Sequence, residues 1–103
     1  TIQVPTLRLN THEQNPPNIR ADWEAALDLI PDTVANQWRA QTERRRRKPP
    51  TVDTTYAESS IYLTGLMHEA GVPFGAGTDT PISYSIPGYS LHSELEMLVI
   101  AGL

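Results

Sequence analysis

Nine prolines in 103 residues dictate where regular structure has to stop. Proline offers no N–H to a helix, its ring clashes with the preceding turn, and the residue before it is pushed towards extended backbone. Pro31 therefore cuts one helical stretch into two, and Pro49-Pro50 closes the second. Pro16-Pro17, between Asn15 and Asn18, marks a loop, and long irregular connections are expected throughout. Between these breaks, 39% hydrophobic and 19% charged residues make a globular rather than a disordered balance. A chain this short forms at most one domain with a thin core, burying about 60 to 70% of its unfolded surface. The absence of cysteine excludes disulfides, thiolate nucleophiles and zinc-thiolate sites, and suits a reducing, cytoplasmic compartment. No apolar run approaches the roughly 18 residues of a membrane span and no secretory leader is visible, so no membrane partner is expected.

Net charge is −4, unevenly spread. Arg39, Arg44, Arg45, Arg46, Arg47 and Lys48 face a single Glu43 in their stretch, whereas the 55 residues that follow hold six acids and no Lys or Arg. Two readings stand side by side. Arginines that neutralise phosphates release counterions, so the block reads as a surface for nucleic acid or an acidic partner. Cations in a last helical turn also suit the negative end of the helix dipole, which makes the block a solvated helix end. No aromatic residue is interleaved to stack bases, which disfavours nucleic acid.

Ile2 to Leu9 alternates and is β-prone, which predicts a strand. Trp23, Ala26, Leu27 and Ile30 recur at helical spacing up to Pro31, and a second helix runs through Val34, Trp38 and Thr42 into the arginines. A linker spans 49–54. Thr55-Tyr56-Ala57-Glu58 has the form of a capping box. Behind it Ile61, Leu63, Leu66, Met67 and Ala70 form an apolar helix face, and Gly71 supplies a left-handed stop. Val72 to Thr78 reads as a buried strand delivering Asp79, and a loop from Thr80 to Ser90 leads to a helix over Leu91 to Ala101. Strand, helices, strand, helix is a parallel α/β order, which places functional groups at the carboxyl ends of the strands.

Asp79 leads the candidates for chemistry because of that strand-end position, although such aspartates also serve as helix N-caps or turn formers. Gly75-Ala76-Gly77 is not a dinucleotide loop, since the third glycine would fall at Thr80. His12 reads as a solvated loop residue or a group reaching the same face, and His68 as surface or packing. His92, at the start of the last helix, reads as a substrate or supporting contact beside Asp79, or as surface. No His-x-His or His-x-x-x-His pair occurs, so the chain lacks a full zinc ligand set. No Gly-x-Ser-x-Gly elbow occurs either.

Ala70-Gly71-Val72-Pro73-Phe74-Gly75-Ala76-Gly77-Thr78-Asp79-Thr80-Pro81, followed by Pro87-Gly88-Tyr89-Ser90-Leu91-His92-Ser93-Glu94-Leu95-Glu96-Met97-Leu98-Val99-Ile100-Ala101-Gly102-Leu103, closely resembles the metal-dependent amidohydrolase superfamily, most of all its imidazolonepropionase-like branch. The resemblance covers about a third of the chain. It implies that Gly-Thr-Asp ends the eighth strand of a (β/α)8 barrel, that Val4-Pro5-Thr6-Leu7 lies in the seventh, and that the helices between are an enlarged crossover. It further implies that Asp79 is a metal ligand and the proton acceptor of the attacking water, with Thr78 and Thr80 as supports. Ser93 stands where the family commonly has Arg, and the histidine and lysine ligands of the earlier strands are not in this chain.

The expectation is therefore an α/β chain, a partial (β/α)8 barrel of strand 7, helices, strand 8 and helix 8. It forms a single partial domain over 1–103, divided into 1–48, a linker at 49–54, and 55–103. The strand-like start at Thr1 and the apolar helical run ending near Leu103 read as a piece of a longer polypeptide. The expected parent is a divalent-metal enzyme, with zinc as the metal, that hydrolyses carbon–nitrogen bonds in small amides. The isolated segment is expected to be inactive, to bind no metal tightly, to pair with the rest of its barrel and to self-associate through uncovered faces. The alternative is a small α/β interaction module working through Arg44 to Lys48.

Overall fold

The computed structural model describes residues 1–10, 21–47, 54–82 and 84–103. The loop expected at 15–18, His12, Lys48 and nearly all of the expected linker lie outside the described residues, as does the side chain of Trp23. The elements are helical: α1 (Leu7–Asn10), α2 (Ala21–Ala26) continuing as a 3-10 turn (Leu27–Leu29), α3 (Asp32–Arg46), α4 (Thr55–Glu69) and α5 (Tyr89–Ala101).

The α/β expectation is overturned. Among the described residues no strand or sheet forms, and the two segments read as barrel strands 7 and 8 meet at one parallel bridge, Gln3 with Phe74. Two hydrogen bonds make it: Gln3 N–H to the Pro73 carbonyl at 3.0 Å, and Gly75 N–H to the Gln3 carbonyl at 2.8 Å. The physical reasons lie in the chain itself. Pro5 and Pro73 have no N–H to extend a ladder, and Gly75 and Gly77 bring no side chains to pack on a sheet face. Thr6 then turns to φ 50°, a left-handed conformation that a β-branched residue rarely adopts, and the predicted strand bends into α1.

Pro31 ends the 3-10 turn as expected and also opens α3, its carbonyl accepting from the N–H groups of Val34 and Ala35 at 2.9 and 3.0 Å. Ala26, Leu27, Ala35 and Trp38 close over Tyr84 and Ile86 to form one buried cluster, with Trp38 stacked on Tyr84 at 5.6 Å between ring centres. A second, separate cluster joins Leu7 of α1 to Met97 and Leu98 of α5.

The cap lies one residue before the capping box read at Thr55, which is the first residue of α4. Thr54 occupies the position before α4, and its hydroxyl donates to the Glu58 carboxylate at 2.8 Å rather than to a backbone group. The apolar face expected on α4 is also largely uncovered: Ala57 and Thr64 are buried, while Leu63 and Leu66 are exposed, because the sheet that was to cover them is missing. Gly71 does provide the left-handed stop, at φ 83°. Its N–H donates to the His68 carbonyl, and that of Val72 to the Met67 carbonyl, the paired bonds of a Schellman motif. Gly102 at φ 109° ends α5 in the same way.

Candidate functional site

Asp79 is exposed and held at φ 54°, a backbone that aspartate tolerates better than most side chains. It follows a stretch without regular structure instead of a strand end. The turn around it is tied by hydroxyls: Thr78 Oγ1 and Thr80 Oγ1 lie 2.8 Å apart, and Thr80 Oγ1 is 3.0 Å from Ser85 Oγ. Ser85 Oγ donates to the Thr78 carbonyl at 2.8 Å, closing the loop on itself. Thr78 and Thr80 are half-buried, so they brace the turn while Asp79 stands outward.

Ser85 belongs to a segment that anchors this turn to the body of the molecule. Ser90 Oγ accepts the Ile86 N–H at 2.8 Å and donates to the Tyr84 carbonyl at 3.2 Å. The Tyr84 hydroxyl accepts from Thr42 Oγ1 at 2.7 Å, which links the segment to α3.

The Arg8 guanidinium, almost fully buried, also donates to the Tyr84 carbonyl. Glu94, fully buried on α5, accepts the N–H groups of Leu7 and Arg8 through Oε1 and Oε2 at 3.0 and 2.7 Å. Its two oxygens thus satisfy the first donors of α1 and fix the turn at Thr6. Burial pushes the Glu94 carboxyl above the ordinary glutamate range, against the pull of those N–H groups and of Arg8. Burial likewise lowers the Arg8 guanidinium, and Glu94 offsets part of this.

Sequence reasoning passed over Arg8, Tyr84, Ser85 and Glu94. Glu94 carried a signal: at three- and four-residue spacing it shares a helix face with Met97, Leu98 and Ala101, and a carboxylate on a buried face requires a partner.

His92 is exposed on α5, and no bond joins it to Asp79 among the described residues. His68 is exposed, as its surface reading required. In the basic stretch, Arg39 is paired with Glu24 through Nε at 2.6 Å and reaches Asp28 at 3.8 Å, which holds α3 to α2 and raises its guanidinium. Arg44 and Arg47 are exposed at the end of α3.

Among the described residues no group of three or more His, Asp or Glu side chains is arranged to hold a metal ion. Asp79 offers one carboxylate, so these residues do not by themselves fit the divalent cation that the resemblance implies. No helix is long and apolar enough to cross a membrane among the described residues. No family model matches the chain, and neither a curated protein nor a solved structure does.

Proposed function

We propose that the chain contributes Asp79 as the proton-accepting carboxylate of a hydrolase that cleaves carbon–nitrogen bonds in small amides. One observation carries the reading: Asp79 is presented outward from a turn that Thr78, Thr80 and Ser85 lock from beneath. The Gly77-Thr78-Asp79 motif and the His92-Ser93-Glu94-Leu95-Glu96 stretch behind it support the same reading through their resemblance to amidohydrolases.

In this role the Asp79 carboxylate accepts a proton from water as its oxygen bonds to the amide carbon. It then returns the proton to the departing nitrogen as the carbon–nitrogen bond breaks, leaving acid and amine. Asp79 supplies the proton transfer alone. The groups that polarise the carbonyl, whether a cation or hydrogen-bond donors, come from outside the described residues, so the described segment is inactive by itself.

The test is hydrolysis of a panel of cyclic amides and N-acyl amino acids by the intact source polypeptide, beside its Asp79→Asn variant. Loss of the transferred proton should lower kcat by about 10³-fold with little change in KM. Equal turnover by the variant, or no hydrolysis of any panel member by the wild type, would sink the reading.

A further inference from the structure

Glu58, Tyr62, Leu66 and Glu69 recur at three- and four-residue intervals along α4 and so share one face. With Gly65 of α4 and Ile100 of α5 they line a groove of about 380 Å³ between the two helices. Its apolar walls are open to solvent, with Tyr62 69%, Leu66 43% and Ile100 58% exposed. Glu58 and Glu69 lie at its two ends, about 16 Å apart by helical rise. No Lys or Arg occurs anywhere in 49–103, so this half of the chain brings no cation to the groove.

An occupant must therefore present cations on stems that cover apolar surface. Arginine does both: its methylenes lie along aliphatic side chains, its guanidinium stacks on tyrosine, and it pairs with carboxylates in a fixed fork. The same chain carries such a group. Arg44, in the last turn of α3, and Arg47, just beyond it, are three residues apart on one face and exposed. They lie outside the contacts that hold α3 to α2, which use Arg39.

We infer that this chain self-associates head to tail, the Arg44–Arg47 end of one copy seating in the α4–α5 groove of the next. Arg44 and Arg47, adjacent on one face, pair at the Glu58 end of the groove, where a guanidinium covers the ring of Tyr62, and Glu69 adds to the attraction along it. The contact joins two different patches, so it closes as a ring or runs on as an open chain of copies, unlike a twofold dimer. It does not depend on Asp79 or on hydrolysis.

Light scattering on the 103-residue chain at rising concentration tests this, with Glu58→Arg/Glu69→Arg and Arg44→Glu/Arg47→Glu as paired variants. The wild-type mass should climb above 11.4 kDa with concentration and return to it as salt rises from about 50 to 500 mM. Each variant alone, with wild-type helical circular dichroism, should remain at monomer mass, and mixing the two should restore association. A wild type that stays monomeric overturns the inference, as does association that survives both variants or fails to return on mixing. Binding of a DNA duplex lost in Arg44→Glu/Arg47→Glu, by a chain that never associates, would assign the arginines to nucleic acid instead. An unfolded variant pair is replaced by Tyr62→Ala, which should weaken wild-type association at least about tenfold; unchanged association would again overturn it.

Discussion

Glu94 shows how one side chain can carry two opposite electrostatic effects. Its carboxylate is removed from water, which favours the protonated form, while two backbone donors and Arg8 favour the charged one; burial wins, and the carboxyl sits high. The native state therefore holds this proton more tightly than the unfolded chain does. By linkage, the stability this raised carboxyl contributes is fully present below the unfolded pKa and is lost as pH rises through the folded one. Urea unfolding of the wild type relative to Glu94→Gln should thus show stability falling from the ordinary glutamate range upward. A rise over that range would mean that the Leu7 and Arg8 donors outweigh desolvation. Glu94→Ala, which strips two backbone donors and leaves Arg8 buried without its counter-charge, should cost about 3 to 5 kcal/mol. The periodic face of α5 made the burial of Glu94 legible in sequence, whereas its partners were not. Leu7 and Arg8 stand 87 and 86 positions away, and Arg8 was hidden inside an alternation that read as strand. Asp79 was read first as a strand-end carboxylate, with a helix cap or turn former as the other reading; no strand precedes it, and the hydroxyl ties of Thr78, Thr80 and Ser85 around its left-handed backbone are announced by no local pattern.

At the scale of elements, helices were read correctly wherever a breaker set their ends: Pro31 before α3, Gly71 after α4, and Tyr89 within two residues of the expected start of α5. The strands failed because alternation describes side-chain type, while a sheet also needs unbroken donors and a partner edge, and prolines remove the first. Gly65 is the clearest element-level constraint. A Cβ there would sit 2.5 Å from the Ala101 carbonyl oxygen, a backbone atom that moves only if α5 moves. Alanine in a helix interior ordinarily gains up to about 1 kcal/mol over glycine. Gly65→Ala should nevertheless destabilise by about 1 to 3 kcal/mol as the two helices separate. Denaturant unfolding at equal slope checks this, and a stabilised variant would show that the helices part without cost.

For the whole molecule the decisive fact is that, among the described residues, apolar burial is divided. The cluster around Trp38 and Tyr84 and the cluster around Leu7 and Met97 are separate, and the molecule extends 43 by 30 by 20 Å. Its radius of gyration of 14.5 Å exceeds the roughly 13 Å of a compact chain of this length. Among the described residues the side-chain link is polar, Arg8 on the Tyr84 carbonyl with Ser90 beside it, and α5 spans both clusters, with Tyr89 on the first and Met97 and Leu98 in the second. Two clusters joined in this way should not melt as one. In a Trp23→Phe variant, fluorescence reports on Trp38 alone whereas far-ultraviolet circular dichroism sums α3, α4 and α5, so the two curves in urea should not superimpose. Coincident curves would mean that the polar link makes the two clusters a single cooperative unit.

The grip of Glu94 on Leu7 and Arg8 also sets an order in time. Those two residues leave the ribosome long before the carboxylate that holds them, so through most of synthesis the first N–H groups of α1 lack that acceptor. Closing a loop of more than eighty residues is slow relative to forming a helix, and α4 and α5 can coil locally before it happens. A chain stopped short of residue 94 would keep the Gln3–Phe74 bridge and the Arg8 bond to the Tyr84 carbonyl, but would leave the first N–H groups of α1 without the carboxylate that accepts them.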